Sequence, residues 1–300
     1  MDQKIKSLEF MSTDRKIAYA KILALMLSLN LIEDKVIAFY RLLSQIRLNT
    51  ERRMILLNYI NNPKDEMANL CMDILKDLSE QEKNIVRFSL MKDLVILTRA
   101  GEVASLGEKK LFNKIKELFL VPDEYIGYFE EEYEQDQMFL NGNLEDTDIL
   151  RCAQEQIALT SSIGIPATYL YYKGYLKEVL YYKKSSDIML RLQRMGLIKR
   201  KRKKVKLTDL VIAVSLGVLS YGVANLMINK KIDTENELNE MIFDRAQKLH
   251  NRAISYLTRD IEYIKSHLDS AKDSEEKLLT NVSLLEKSLD KFKNSKVVLL

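Results

Sequence analysis

A chain of 300 residues with only 3 Pro and 9 Gly has room for one large or two modest domains, and its few chain breakers favour long helices. Two histidines and the lack of a phosphate loop, an HExxH or CxxC motif or a nucleophile elbow leave no residues in mutually supporting catalytic roles, so a non-enzymatic protein with no cofactor is expected. Cys71 and Cys152 lie far apart and read as small buried hydrophobes rather than a disulfide, which points to a reducing compartment.

The N-terminus is basic and then apolar, but its apolar part follows a helical period and ends without a small-residue cleavage site. A signal peptide is therefore not expected, and the chain reads as starting in the cytoplasm. From Thr13 to about Asn143, amphipathic helix follows amphipathic helix. Asn30-Leu31-Ile32-Glu33 and Ser105-Leu106-Gly107-Glu108 both have capping-box form. Val36, Ile37, Tyr40 and Leu43 follow the first box. Leu111, Phe112, Ile115 and Leu118 follow the second, 75 positions on. Each box is preceded by an apolar helix, "AKILALMLSLN" and "MKDLVILTRAG". The pattern fits a duplicated helix–turn–helix unit, or else two ordinary helical hairpins.

Between these units Pro63 breaks the chain, and Ser79 with Glu82 forms a further capping box. After the second unit, Val121-Pro122-Asp123 turns into another helix. It carries the acidic run "FEEEYEQDQ", either a solvated helix end or a cation or partner site.

The stretch "KDLVILTRAGEVASLGEKKLFNKIKELFLVPDEYI" resembles the second half of a TerB-like, tellurite-resistance-type domain, with the likeness extending over residues 12 to 140. The resemblance implies an all-helical fold with two pseudo-symmetric helix–turn–helix halves. It also implies a divalent cation near acidic turn residues in some members. Here the turns read Arg99-Ala100-Gly101 and Leu29-Asn30-Leu31, so the turn acids that a hard cation prefers are missing. Glu33, Glu102 and Glu108 remain as weak metal candidates, each equally readable as a cap or surface charge.

Farther along, Tyr169, Tyr171, Tyr172, Tyr175, Tyr181 and Tyr182 alternate with lysines. Such a surface suits a membrane interface, a protein interface, RNA stacking or an ordinary helix flank. The Gly-Ile-Pro start of this stretch and the segments after it resemble the C-terminal region of some TerB-like proteins. The cluster Lys199, Arg200, Lys201, Arg202, Lys203, Lys204 and Lys206 follows, readable as contacts to anionic lipid or to nucleic-acid phosphates. Next come the 20 uncharged residues Leu210–Asn229. These match the length that spans hydrocarbon, yet Ser215, Ser220, Tyr221 and Asn225 equally suit an interfacial or buried helix. From Ile232 onward two apolar seams mark a helical hairpin, paired within the chain or with a second copy. His250 and His267 lack partners at metal-ligand spacing.

The expected architecture is all-α: a TerB-like helical bundle with an internal two-fold repeat over 1–145, and a Tyr/Lys-rich helical linker with the basic run over 146–206. An apolar helix over 207–231 and an antiparallel helical hairpin over 232–300 complete it. The leading functional expectation is a non-enzymatic adaptor or sensor on the cytoplasmic side of the membrane, with the apolar helix as a single-pass anchor. Its partners would be anionic lipid and a protein, or a second copy held through the C-terminal helices. The TerB-like resemblance implies an envelope-stress or phage-defence setting. The alternative is a soluble regulator that binds nucleic acid through residues 199–206, with the apolar helix buried.

Overall fold

The computed structural model describes residues 11–78, 80–101, 103–140, 235–268 and 275–295. These form helices α1 (Thr13–Ser28), α2 (Glu33–Ile46), α3 (Thr50–Asn61), α4 (Met67–Leu75), α5 (Glu80–Arg99), α6 (Leu106–Phe119) and α7 (Asp123–Leu140). Beyond them lie α8 (Glu235–Leu268) and α9 (Glu275–Asn294). No strand occurs among the described residues, and the all-α expectation holds for them. Ser79, Glu102, the Tyr-rich and basic stretches and Leu210–Asn229 lie outside them. So do Cys152 and the capping box expected at Asp273.

Two helices organise the packing. In α1, Ala18, Ala20 and Ala24 are buried beside Ile22, Leu23 and Met26. Their small side chains allow neighbouring backbones to approach closely, and α1 touches each helix from α2 to α6. α2 is buried nearly all round: Val36, Ile37, Phe39, Tyr40, Leu42, Leu43 and Ile46 are core residues, joined by Lys35 and Ser44. α1 and α5 cover one side of α2, while α8 and α9 cover another.

α8 and α9 run antiparallel. Lys265 near the end of α8 pairs with Glu286, while His250, farther back, meets Phe292 ring to ring at 4.5 Å. Ala253, Leu257 and Ile261 from α8 and Val282, Leu285, Leu289 and Phe292 from α9 are buried. In this structure these seams pack against each other and against α2.

The helix starts and ends in the two regions correspond at a spacing of 73 residues, whereas the capping-box pattern in the sequence has an offset of 75. Lys35 and Glu108, 73 residues apart, both occupy the third position of their helices. The same spacing of 73 relates Arg47 to Leu120, the left-handed residues with φ 57° and 54° that end α2 and α6. It also relates Thr50 to Asp123, the starts of α3 and α7. The second capping box forms as expected, Ser105 and Glu108 each bonding the other's backbone N–H. The first does not. The N-cap of α2 is Ile32, without a side-chain cap, and Asn30 instead donates to the Glu108 carboxylate at 3.4 Å.

Candidate functional site

The junction between the α8–α9 hairpin and the α2–α3 unit combines buried charge with a cavity. α2 ends at Arg47 and α3 restarts at once, because the Asn49 side chain accepts from the Arg52 N–H at 3.1 Å. This tight connection sets Arg53 in the first turn of α3, 1% exposed. Its Nη1 donates to the Leu48 carbonyl at 2.6 Å and its Nη2 to the Thr50 hydroxyl at 3.1 Å. The remaining donors face α8. Nε and Nη2 reach the Asp260 carboxylate at 2.8 Å and 2.6 Å. Tyr40 from α2 adds its hydroxyl to the same carboxylate at 3.0 Å.

Burial raises the proton affinity of Asp260, while Arg53 and the Tyr40 hydroxyl pull it back. Burial, then the Asp260 charge, pushes the Tyr40 phenol well above its ordinary value, so it stays a hydrogen donor. One turn before Asp260, the Tyr256 ring lies 4.0 Å from the guanidinium carbon of Arg53. One turn earlier again, Arg252 donates to the Ser44 carbonyl at 3.0 Å. Residues 252, 256 and 260 thus form one stripe of α8 facing α2 and α3.

Beyond this stripe a cavity of about 200 Å³ lies between the two bodies. Leu27, Phe39 and Leu57 line it from one side, and Ile264, Leu284 and Leu285 from the other. Asn58, Asn61 and His267 are the polar side chains on its wall, apart from the phenols of Tyr40 and Tyr263.

Two further polar centres lie within the N-terminal helices. Lys35 donates to Glu108, both essentially fully buried, which joins the first turns of α2 and α6. Burial alone would raise the Glu108 carboxyl, but Lys35 and the Ser105 backbone hold it below the usual carboxylate range. Between α1 and α5, the Tyr19 hydroxyl donates to Asp93 at 2.6 Å, and burial pushes Asp93 up to about 7. Its neighbour Lys92 pairs with Glu132 of α7 at 2.6 Å.

Of the metal candidates, Glu33 opens α2, Glu108 takes an ammonium rather than a cation from solution, and Glu102 lies outside the described residues. Among the described residues no group of three or more His, Cys, Asp or Glu is placed to hold a metal ion. The acidic run on α7 uses Glu132 on Lys92 and Glu130 on Arg99. Cys71 is buried in α4, with its thiol pushed by burial up to about 11. The six candidate tyrosines from Tyr169 to Tyr182 and the seven cations from Lys199 to Lys206 fall outside the described residues.

Sequence reasoning missed Arg53, Asp260, Lys35 and Asp93. The available signal was a charged residue set inside an apolar face, as in "DKVIAF" and "RDIEYI".

The described helices include none long and apolar enough to cross a membrane. Comparison with protein-family models, curated proteins and solved structures finds no match to the chain, so the TerB-like resemblance rests on its quoted residues alone.

Proposed function

We propose that this protein is a non-enzymatic adaptor or sensor in which the C-terminal hairpin acts as a latch on the N-terminal helical body. The observation that carries this reading is the Arg53–Asp260–Tyr40 cluster. A buried ion pair adds little net stability over apolar packing, but it requires one docked arrangement and penalises any other. Docking is thereby specific, and a partner that competes for either face can release it.

The latch brackets the part of the chain that holds the Tyr-rich stretch, the basic run and Leu210–Asn229. In the membrane version of this proposal that part attaches the body to anionic lipid. α8 and α9 pack on α2, which supports a version in which both bodies lie on one side of the membrane. We infer attachment to one face rather than a single-pass anchor, because a single crossing would separate α8 and α9 from α2. The envelope-stress or phage-defence setting rests only on the TerB-like resemblance.

Fractionation of cells expressing the full chain tests the attachment. Release from the membrane pellet by high salt supports an electrostatic tether through Lys199–Lys206. Resistance to both salt and carbonate supports an integrated segment. A chain that never pellets overturns the membrane version and favours the alternative, a soluble regulator gripping nucleic acid through the same cations. Salt-dependent DNA binding by the full chain is the readout for that alternative.

A further inference from the structure

We infer that the cavity beneath the latch is a binding site for a small apolar molecule carrying one hydrogen-bonding group, and that its occupancy favours the docked hairpin. This inference rests on the latch reading given above. Protein interiors leave few voids larger than a water molecule. A partly open cavity of about 200 Å³ between two packed bodies is space that the surrounding side chains leave to solvent or a guest. It opens to solvent past the exposed Asn58, Asn61, Tyr263 and His267, which gives a guest a route in.

The lining defines the ligand class. Leu27 and Phe39 are at most 2% exposed, and with Leu57, Ile264 and Leu285 they supply an apolar interior. Polar groups are few, the arrangement of a small-molecule pocket rather than of a charged-ligand site. Among the lining residues none is Lys, Arg, Asp or Glu, which disfavours a strongly charged guest. His267 supplies a directional contact. Its Nδ1 lies 2.8 Å from the Tyr263 carbonyl and 3.0 Å from the Ser266 hydroxyl; in the neutral tautomer that donates from Nδ1 to the carbonyl, Nε2 is an acceptor. The Tyr263 ring stacks on the imidazole at 4.2 Å between centroids and fixes its plane. A guest with one N–H or O–H thus satisfies Nε2 while burying its apolar part.

Coupling to the latch follows from who supplies the walls. α1, α2 and α3 contribute one side and α8 and α9 the other, so the whole site exists only when the hairpin is docked. Any guest that touches both sides stabilises that state by mass action. Tyr40 lines the same cavity and donates to Asp260, which joins the guest's wall to the ion pair.

Indole is a suitable probe because the chain contains no Trp, so indole emission excited at the red edge, where Tyr does not absorb, reads binding over little protein background. With the full chain, saturable, blue-shifted indole emission is expected, together with slower proteolytic release of the hairpin. Indene, which lacks the N–H, should compete at least several-fold more weakly. Leu57→Phe and Leu284→Phe fill the space and should weaken indole binding at least ten-fold while the helical circular dichroism persists. Unsaturable emission, or equal binding by folded filled variants, overturns the inference. Should those variants not fold, indole that leaves hairpin proteolysis of the unmodified chain unchanged overturns it alone. A hairpin that resists protease without binding indole sinks the cavity and leaves the latch standing. A hairpin cut as readily as an unfolded segment sinks both.

Discussion

Arg53 and Asp260 stand 207 residues apart in sequence, yet the guanidinium of one grips the carboxylate of the other at 2.6 Å with both side chains essentially dry. Asp260→Ala strands the guanidinium and should cost about 3–5 kcal/mol in urea unfolding. Arg53→Met with Asp260→Leu together should cost much less, since neither charge is then left alone. Lys291 and Asp34 join the same two bodies at 2.8 Å but are about half exposed. Lys291→Ala should therefore cost under about 1 kcal/mol. Equal costs for Asp260→Ala and Lys291→Ala would show that the buried pair does not hold the latch.

The Lys35–Glu108 pair predicts strong coupling. Lys35→Met leaves a carboxylate buried in a helix cap and should cost about 3–5 kcal/mol. Adding Glu108→Gln should recover about 1–3 kcal/mol of that, as a double-mutant cycle would read. The Glu108 carboxyl is held below its ordinary 4.5, so its contribution is present above that pH and fades as pH falls through the lowered value. Additive single-variant costs would contradict the pairing.

Gly101 sits against Ile32 and the Lys35 side chain of that pair. A Cβ there would meet Ile32 Cδ1 at 2.9 Å and Lys35 Cε at 3.0 Å. Lys35 is fixed by Glu108 and cannot swing aside, so Gly101→Ala should destabilise by about 1–3 kcal/mol. In a Lys35→Met background the flexible thioether can yield, and the same substitution should cost less. An equal cost in both backgrounds would assign the effect to the turn backbone.

Asp93 predicts an unusual pH dependence. Burial is the main cause of its rise from 3.8 to about 7, with Glu132 adding to the rise while Tyr19 and Lys92 oppose it. A carboxyl whose folded value is raised binds more protons folded than unfolded between those values, so its contribution to stability is lost as pH climbs from about 4 to about 7. Asp93→Asn keeps an acceptor for the Tyr19 hydroxyl and should flatten that part of the profile. His250 acts in the opposite sense: burial and Arg41 push it down to about 4 from 6.5, so its contribution is lost as pH falls through that window. Urea midpoints across pH 4–8 should separate the two, with His250→Phe removing the acidic loss. A profile unchanged by Asp93→Asn would show that this carboxyl ionises normally.

The helices were legible because apolar residues recur at helical spacing and because Ser105 and Glu108 are a readable cap. The 73-residue spacing of the helix ends was not. Sequence matching aligned Glu33 with Glu108, whereas the helix starts align Lys35 with Glu108, since Asn30 turns to the far helix instead of capping its own. The burial of α2 on all sides was also hidden. Its second cover is a hairpin that returns from beyond residue 234, and periodicity carries no information about contacts at such separation. The role of Asp260 could not be read from the sequence, because its partner lies on a different helix, 207 positions away.

The packing of α8 and α9 on α2 also makes a statement about compartments that can be read in sealed vesicles. Cys71 is buried with a thiol pushed up to about 11, so it should resist maleimide in the folded chain. With Cys152 replaced by serine, reporter cysteines placed at the exposed Lys109 on α6 and Lys287 on α9 become the reactive sites. A membrane-impermeant maleimide should label both or neither in vesicles of one orientation, because a docked latch keeps both positions on one side. Labelling of one without the other would place a bilayer between α6 and α9. The Arg53–Asp260 contact could then not form in the membrane-bound protein, and the latch would belong only to chains outside the membrane.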